Sequence, residues 1–401
     1  MFTNVGFPST SFNVYQPYIV ALPGVGDSAG SIIIGTRTFV SLICMFAVVR
    51  FYQIFDCRRG SLIAAVATVT CFIVFGFAQS FPLLCLAAAI GGIGYGLGGM
   101  VCTTMLINRW FKADVGTALG ISAVGSGAAS IVVPLCADWI IRTFGLSISF
   151  WCEAALAAVL GVLIYALLRD KPSDMGLEPF VNEKWLAEHT TQAADGSGET
   201  VVVTDDGYKL SPVQRALFIF AMMLIGAVCV ASATFVSIFL VSEGYDHAFA
   251  ALILSAVGLV LTVGKFAMGR IFDMLGDVVS TIIAFVALIV GLVLLCIGAQ
   301  GSVAFVWVGV VFFGFGLAIG TTGIPIWSLH LSSPEQRVGT VRTFQVGYAA
   351  GSFVFTLVPG ILKDIVGSYM VSYVMMIGMS FIALTIILIV LLQAKRASVV
   401  A

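Results

Sequence analysis

Long apolar runs alternate along the chain with short polar connections. A helix of about twenty apolar residues crosses the hydrocarbon core of a bilayer, so this pattern predicts a series of membrane-spanning helices. Twelve spans are predicted, at Asn4–Leu22, Ser28–Phe55, Ser61–Ala78, Phe81–Ile107, Gly116–Ala137, Leu146–Leu168, Val213–Val241, Ala248–Gly269, Val278–Gly298, Val303–Ser328, Gly339–Leu362 and Tyr369–Leu392.

One polar stretch interrupts the pattern near the middle of the chain. Residues 169–212 are rich in Asp and Glu and contain no apolar run of spanning length. The sequence therefore predicts an N-terminal six-helix half at 1–168, a solvated linker at 169–212, a C-terminal six-helix half at 213–394 and a short tail at 395–401.

The composition restricts the class of protein. The chain is 60% apolar and 10% charged, with a mean hydropathy of +1.10, which excludes an ordinary soluble enzyme and indicates a protein embedded in the lipid bilayer. A formal net charge of −1 offers no basic field for nucleic acid. The three histidines have no paired nucleophile or metal-ligand spacing, and no phosphate-binding GxxxxGK motif is present, so we predict no enzyme activity, metal or cofactor.

The basic residues predict the orientation. Short cytoplasmic loops of membrane proteins carry an excess of Lys and Arg, and most of the 19 basic residues lie on the same side of the predicted spans as the linker and the C-terminal tail. We therefore expect a protein of the cytoplasmic membrane whose linker and tail are in the cytoplasm.

The two halves are copies of one another. Ile54-Phe55-Asp56 after span 2 matches Ile271-Phe272-Asp273 after span 8, and Gly94-Tyr95-Gly96-Leu97 in span 4 matches Gly314-Phe315-Gly316-Leu317 in span 10. Two parallel six-helix repeats are the arrangement of a transporter that rocks one half against the other. Because one chain holds both halves of its own pathway, we expect a monomer.

The first span is short for its position in the repeat. Ser11-Phe12 aligns with Thr234-Phe235, which places Met1 well inside the matching span 7. We expect helix 1 to be truncated at its N-terminus, with a short but genuine first span as the alternative.

The loop after span 8 carries a motif, Gly269-Arg270-Ile271-Phe272-Asp273-Met274-Leu275-Gly276, that resembles the loop signature of the major facilitator superfamily. The counterpart after span 2 keeps Asp56 and the basic residue Arg58 but lacks the leading glycine. The resemblance implies that Asp56, Arg58, Gly269, Asp273 and Gly276 act in gating, because a loop acid can face the positive end of a helix in the opposite half. The alternative is an acid that only caps a helix or is solvated.

Within that superfamily, Asn108-Arg109-Trp110-Phe111 and the glycines that follow resemble the oxalate:formate antiporters and monocarboxylate transporters. Lys265, eight residues before Asp273, matches the helix 8 position where those families place an arginine that binds the substrate carboxylate. Lysine offers a point charge in place of a bidentate fork. The resemblance implies substrate binding by Lys265; the alternative is that its side chain reaches the cytoplasmic surface or pairs with a loop acid.

Four other residues are candidates for the same site. Arg37 lies too deep in span 2 to reach the surface easily, and it is a second anion ligand, the partner of an acid, or a donor to helix-end carbonyls. Phe12 and Tyr15 resemble the aromatic residues that line the cavity in these families, and packing is their alternative role. Gln345 stands near the position of the oxalate exchangers' second basic residue, so a singly charged anion is favoured over a dicarboxylate.

These features together predict a secondary active transporter of a small organic anion, with a monocarboxylate favoured. Leu261 replaces the acid that proton-coupled relatives carry, so symport with a co-transported proton and antiport both stay open. The alternatives are a carrier of an unrelated solute, such as a drug or a sugar, and a non-transporting membrane sensor with the same fold.

Overall fold

The computed structural model describes residues 2–111, 115–181, 210–332 and 336–400, and these residues form a bundle of helices. The N-terminal half begins with a π-helix at Phe2–Ser11 and continues with α1 (Phe12–Val20), α2 (Asp27–Ile54), α3 (Cys57–Phe77), α4 (Phe81–Gly98), α5 (Met100–Trp110), α6 (Val115–Phe144) and α7 (Leu146–Leu167). A short 3-10 turn at Pro172–Met175 follows α7. The remainder of the predicted linker, residues 182–209, lies outside the described residues.

The C-terminal half follows the linker. It comprises α8 (Pro212–Ser242), α9 (His247–Ala299), α10 (Val303–Leu317), α11 (Ile319–His330), α12 (Arg337–Thr356), α13 (Val358–Val366) and α14 (Met370–Val400). Helix α9 is two helices joined at Gly276, whose backbone is non-helical. Its first limb, residues 247–275, and its second limb, residues 277–299, correspond to predicted spans 8 and 9.

Among the described residues, ten helical segments are long and apolar enough to cross a membrane. One of them is α9, which contains two predicted spans, and the π-helix with α1 corresponds to span 1. The predicted all-helical membrane fold is confirmed. Span 5 is longer than predicted, since α6 continues beyond Ala137 to Phe144.

Three further predicted spans are each built from two α-helices in the described structure. The breaks fall at Gly99 between α4 and α5, at Ala318 between α10 and α11, and at Leu357 between α12 and α13. Pro359 lies two residues after the third break, and a proline there has no backbone N–H with which to continue the α12 ladder.

Small residues bring the helices into close contact. A Cβ at Gly226 of α8 would lie 1.9 Å from the carbonyl oxygen of Tyr348, and one at Gly351 of α12 would lie 1.9 Å from that of Met223. Only glycine allows the two backbones to approach so closely, which is the packing expected of helices in lipid. The core therefore lies between helices, and many large apolar side chains face outward.

Candidate transport pathway

Hydrogen bonds join the two halves at the end of the bundle where α2 begins and α13 ends, here called the distal end because it is opposite the linker. The hydroxyl of Tyr369, which immediately precedes α14, donates to Asp27 Oδ1 at 2.6 Å. Ser28 donates to Asp364 Oδ2 from its backbone N–H at 3.1 Å and also from its hydroxyl. Burial, together with the hydrogen bond to Asp27, raises the pKa of Tyr369, so this phenol keeps its proton and remains a donor.

The backbones also meet at the distal end. The Gly360 N–H of α13 donates to Ser31 Oγ of α2 at 2.8 Å. A Cβ at Gly360 would lie 2.1 Å from the carbonyl oxygen of Asp27. Glycine at this position is therefore required for α2 and α13 to touch.

A second group of contacts closes the distal end beside α1. The Tyr18 hydroxyl donates to Asp138 Oδ1 at 2.7 Å, and Arg142 Nε pairs with Asp138 Oδ2 at 2.9 Å. Tyr18 stacks on His247 of α9 with ring centroids 4.3 Å apart, and Arg142 Nη1 lies 4.0 Å from Asp246 Oδ2. These contacts connect α1 and α6 to the start of α9 in the other half.

The predicted gating acids are at the opposite end of the bundle, the linker end. Asp56 and Asp273 are both exposed, and no described residue forms a hydrogen bond or an ion pair with either side chain. Asp56 lines a polar pocket of about 360 Å³ together with Arg58 and Asp170. In this structure the halves are thus joined at the distal end, while neither gating acid contacts the opposite half.

Arg58 has contacts within its own half. Its Nε donates to the Tyr165 carbonyl at 2.8 Å, and its backbone N–H donates to Asp170 Oδ1 at 2.9 Å. Asp170 also pairs with Arg109 Nη1 at 2.7 Å. Arg58 therefore links α3 to the end of α7.

The two predicted gating glycines differ in their surroundings. Gly276 has a φ of +73°, which a residue with a side chain rarely adopts, and it makes the turn between the limbs of α9. The Ser280 hydroxyl donates to the Gly276 carbonyl at 2.7 Å. Gly269 has open space where a Cβ would be.

Lys265 lies on the face of α9 that meets α6 of the other half. A Cβ at Gly258 would lie 2.6 Å from Ser130 Cβ, and a Cβ at Gly127 would lie 2.5 Å from Thr262 Oγ1. Gly258, Thr262 and Lys265 are spaced as i, i+4 and i+7, so they form one stripe along α9. Lys265 is half-buried, and within the described part of the chain its ammonium has no hydrogen bond or ion pair.

Arg37 is held inside the N-terminal half. It is 9% exposed, and its Nη1 donates to the Pro8 carbonyl in the π-helix. Its Cζ lies 5.5 Å from the centroid of the Phe12 ring. Of the three roles open for Arg37, the structure shows the donor to a backbone carbonyl; no acid among the described residues lies within ion-pair distance of it.

Phe12 and Tyr15 are buried between α1 and the rest of the N-terminal half. Phe12 packs on Phe75 with ring centroids 5.1 Å apart, and Tyr15 stacks on Phe150 at 4.2 Å. The Tyr15 hydroxyl lies 2.7 Å from Ser149 Oγ and donates to Glu153 Oε1 at 3.0 Å. Their predicted contact with substrate stays a prediction.

Gln345 lies on α12 toward the linker end. Its side chain is exposed. A Cβ at Gly347, two residues later, would lie 3.2 Å from the carbonyl oxygen of Ile219 in α8. Residues two apart in a helix are on nearly opposite sides, so Gln345 faces away from α8.

Two groups of buried polar residues were not predicted from the sequence as candidates for the site. Glu153 of α7 is 6% exposed, and Asp138 of α6 is 2% exposed. On α1, Asn13 Oδ1 and both amide atoms of Gln16 are buried and have no hydrogen-bond partner among the described residues. The signal for Glu153 was present, because it is the one charged residue in the apolar run Leu146–Leu168.

The chain belongs to the Major Facilitator Superfamily, whose family model matches residues 2–356. This assignment agrees with the loop motif, the repeated halves and the helical bundle. The superfamily's fold supports secondary transport of small molecules, and the chain is an integral, multi-pass membrane protein.

Solved transporters share the fold across almost the whole chain. A mutant of the nucleoside transporter NupG is similar with a TM-score of 0.74 and 14% identity, covering 96% of each chain. A POT family transporter in complex with 5-aminolevulinic acid gives a TM-score of 0.71 and 14% identity, covering 98% of this chain and 95% of that one. A D-xylose-proton symporter gives 0.69 and 14%, covering 96% and 93%. At these identities the similarity shows the fold alone.

One curated relative is a membrane sensor. The protein UhpC of Salmonella typhimurium (strain LT2) is 23% identical over 197 residues, which cover 48% of this chain and 43% of the sensor. The match therefore spans less than half of either protein.

Proposed function

We propose that this protein carries a small organic anion, with a monocarboxylate as the preferred substrate, across the cytoplasmic membrane by alternating access. The linker and the C-terminal tail face the cytoplasm. The observation that carries the proposal is Lys265, a cation in a membrane helix that has no described partner and lies on the stripe of α9 facing the other half.

The cost of placing Lys265 there supports a role for it. A lysine at the centre of a membrane helix costs about 2.5 to 3.5 kcal/mol on insertion scales, so such residues normally have a partner or a function. An anion that leaves water can recover part of its lost hydration from this ammonium in a medium of low dielectric. Because α9 and α6 belong to different halves, an anion held between them would be accessible from either side as the halves rock.

The contacts of Arg37 favour a singly charged substrate. Arg37 already donates to the Pro8 carbonyl and lies over Phe12, whereas Lys265 has no such partner among the described residues. One available cation matches one carboxylate. Tyr15, Phe12 and Gln345 stay proposed substrate contacts.

A second candidate function is that of a non-transporting sensor. It is favoured by the partial similarity to UhpC, which is named a membrane sensor protein. A sensor would bind the anion at the same site without moving it, so measurements of binding and of uptake on the same protein separate the two functions.

The test is uptake of labelled lactate, pyruvate, formate, acetate and oxalate into proteoliposomes, with and without an imposed pH gradient. K265Q is expected to reduce monocarboxylate uptake by about tenfold or more, since a hydrogen bond to a charged group contributes about 1.5–3 kcal/mol. K265R keeps the charge and is expected to retain uptake.

The matched control is K363Q, because Lys363 lies at the distal end, where its ammonium donates to the Gly367 carbonyl at 2.8 Å. Full uptake by K265Q would refute the role of Lys265. Binding of an anion without uptake by the wild type would favour the sensor. If the folded protein neither bound nor took up any of these carboxylates, the proposal of an organic-anion carrier would be refuted.

A further inference from the structure

A histidine lies between the two halves at the distal end. His247 is the first residue of α9 in the C-terminal half, and its ring stacks on Tyr18 of α1 in the N-terminal half, with centroids 4.3 Å apart and an angle of 24° between the ring planes. Histidine is the side chain whose charge ordinarily changes between pH 5 and pH 8. A histidine in this contact can therefore make the closure of the distal end depend on pH.

The two ring nitrogens of His247 have different surroundings. The side chain is half-buried, and Nδ1 is buried and has no hydrogen-bond partner among the described residues. In a neutral imidazole only one nitrogen carries a proton, so Nδ1 can stay bare in the closed arrangement while Nε2 is the donor. In the imidazolium both nitrogens are donors. Protonation of His247 therefore places an N–H group at Nδ1, where no described residue accepts from it.

The charged and titratable groups that face His247 come from α1, α6 and the residue that precedes α9. Asp138 of α6 pairs with Arg142 at 2.9 Å and accepts from the Tyr18 hydroxyl at 2.7 Å. Asp246 caps the start of α9 and lies 4.0 Å from Arg142 Nη1. Both carboxylates are thus already engaged by other groups, and the Arg142 guanidinium adds positive charge on the side of the other half.

The remaining elements packed against the start of α9 have titratable groups that bond elsewhere. Helix α10 has no titratable side chain. Glu243, at the end of α8, accepts from the Ser368 hydroxyl at 3.0 Å. Tyr245 and Tyr373 each donate to a backbone carbonyl. The balance at His247 is therefore decided by Tyr18, by the charges on α6 and by the burial of Nδ1.

Two of these effects act in opposite directions when His247 gains a proton. The Tyr18 ring favours a cation stacked on it, by about twofold to fivefold at an exposed site. A buried donor without an acceptor is disfavoured by about fivefold to a hundredfold, and the facing Arg142 guanidinium adds repulsion. Because Tyr18 and Arg142 belong to the N-terminal half, opening of the distal end moves both away and gives Nδ1 access to water. Protonation thus weakens the closed arrangement relative to the open one.

We propose that His247 is a pH-sensitive latch of the distal end. The neutral ring stacks on Tyr18 and helps to hold the halves together, whereas the protonated ring releases α1 and α6 and favours opening. The latch goes beyond the proposed function and requires no particular substrate. With the distal end opposite the cytoplasm, as proposed above, an acidic exterior promotes opening toward the exterior.

The test is the distance between the two halves at the distal end as a function of pH. Pulsed EPR measures it between spin labels at exposed positions 147 and 303, in protein whose exposed Cys136 and Cys152 are replaced by serine. The ratio of open to closed protein is expected to rise by about fivefold or more from pH 8 to pH 5. H247F keeps a ring that can stack on Tyr18 but cannot be protonated, so it is expected to give the closed distribution at both pH values.

The matched control is H330Q. His330 is an exposed histidine at the linker end, where its Nδ1 lies 2.7 Å from Asp277 Oδ2. H330Q is expected to keep the pH dependence of the wild type. H247K, which carries its charge throughout this pH range, is expected to raise the open fraction at both pH values. Identical distance distributions of the wild type at pH 5 and pH 8 would overturn the proposal, and so would a shift that persists in H247F.

A second measurement follows the histidine itself. The chain has three histidines, so in protein labelled with carbon-13 at histidine Cε1 the NMR signal of His247 is identified by its loss in H247F. Its chemical shift is expected to change over the same pH range as the spin-label distance. A His247 signal that completes its titration while the distance stays constant would show that protonation does not release the halves, and it would overturn the proposal. A signal that does not titrate between pH 5 and pH 8 would do the same.

Discussion

The guanidinium of Arg37 lies inside the N-terminal half, where it donates to the Pro8 carbonyl and sits over the Phe12 ring. We predict that R37Q lowers the free energy of unfolding by about 1.5–3 kcal/mol, the contribution of a hydrogen bond made by a charged group. The measurement is the apparent Tm in detergent micelles. R50Q is the control, since Arg50 is on the same helix and exposed. An unchanged Tm combined with lost uptake would mean that Arg37 acts on the substrate and has little structural role.

The sequence indicated which charged residues are candidates for function more readily than it indicated which groups their side chains contact. Lys265 was recognisable as a charge inside an apolar run, and Glu153 could have been found by the same rule. The partner of Glu153 could not, because Tyr15 is 138 residues away in the chain and the two meet only through the packing of α1 on α7. The sequence also could not show that Arg37 donates to the Pro8 carbonyl, since every residue has a backbone oxygen and only the fold determines which one a side chain reaches.

Helices α2 and α13 are in contact at Gly360, where only glycine is small enough for the two backbones to meet. A Cβ at Gly360 would lie 2.1 Å from the Asp27 carbonyl oxygen, so G360A is expected to force the helices apart and open the distal end. Pulsed EPR distances between spin labels at exposed positions 147 and 303, with the exposed Cys136 and Cys152 replaced by serine, would report the opening.

The control for G360A is G378A. Gly378 also lies in a membrane helix, but a Cβ there would meet no atom within 4 Å. G378A is expected to keep the distance distribution of the parent protein. An unchanged distribution in G360A as well would mean that the α2–α13 contact does not determine whether the distal end is closed.

The apolar pattern predicted where the helices lie, but it did not predict where a helix is interrupted or extended. The predicted spans agree with the observed helices to within a few residues at most ends, because burial in lipid demands apolar residues over a defined length. The breaks at Gly99, Ala318 and Leu357 depend on local backbone geometry and on neighbouring helices. The extension of α6 to Phe144 has a similar cause, since the charges of Asp138 and Arg142 pair with each other and do not end the helix.

The two halves meet in this structure in one of the arrangements that a rocking transporter requires. Its distal end is closed by Tyr369, Asp364 and Gly360, while Asp56 and Asp273 are exposed at the linker end without described partners. In the alternate arrangement we expect the linker end to close and the two acids to come within reach of helix ends in the opposite half. The repeated loop motif predicted this pair of acids, whereas the direction in which the molecule is open could be learned only from the structure.

We therefore predict that D273N disfavours the alternate arrangement and leaves the present one intact. A carboxylate at a helix N-terminus contributes about 0.3–1 kcal/mol, so its loss should lower the population of the state closed at the linker end by about twofold to fivefold. Initial uptake should slow, and the spin-label distance at the distal end should shift toward its closed value. The apparent Tm should stay unchanged, because Asp273 makes no contact with a described residue that the substitution would remove.

The control for D273N is E178Q, which removes an exposed acid at the linker end that lies outside the repeated motif. If E178Q slowed uptake as much as D273N, the effect would reflect the loss of surface charge, and the interpretation of the motif acid as a gate would be wrong. If D273N lowered the apparent Tm, the acid would stabilise the arrangement described here. A slower rate in D273N alone, at constant stability, requires that Asp273 acts in a state other than the one observed, which is what alternating access demands of a gating residue.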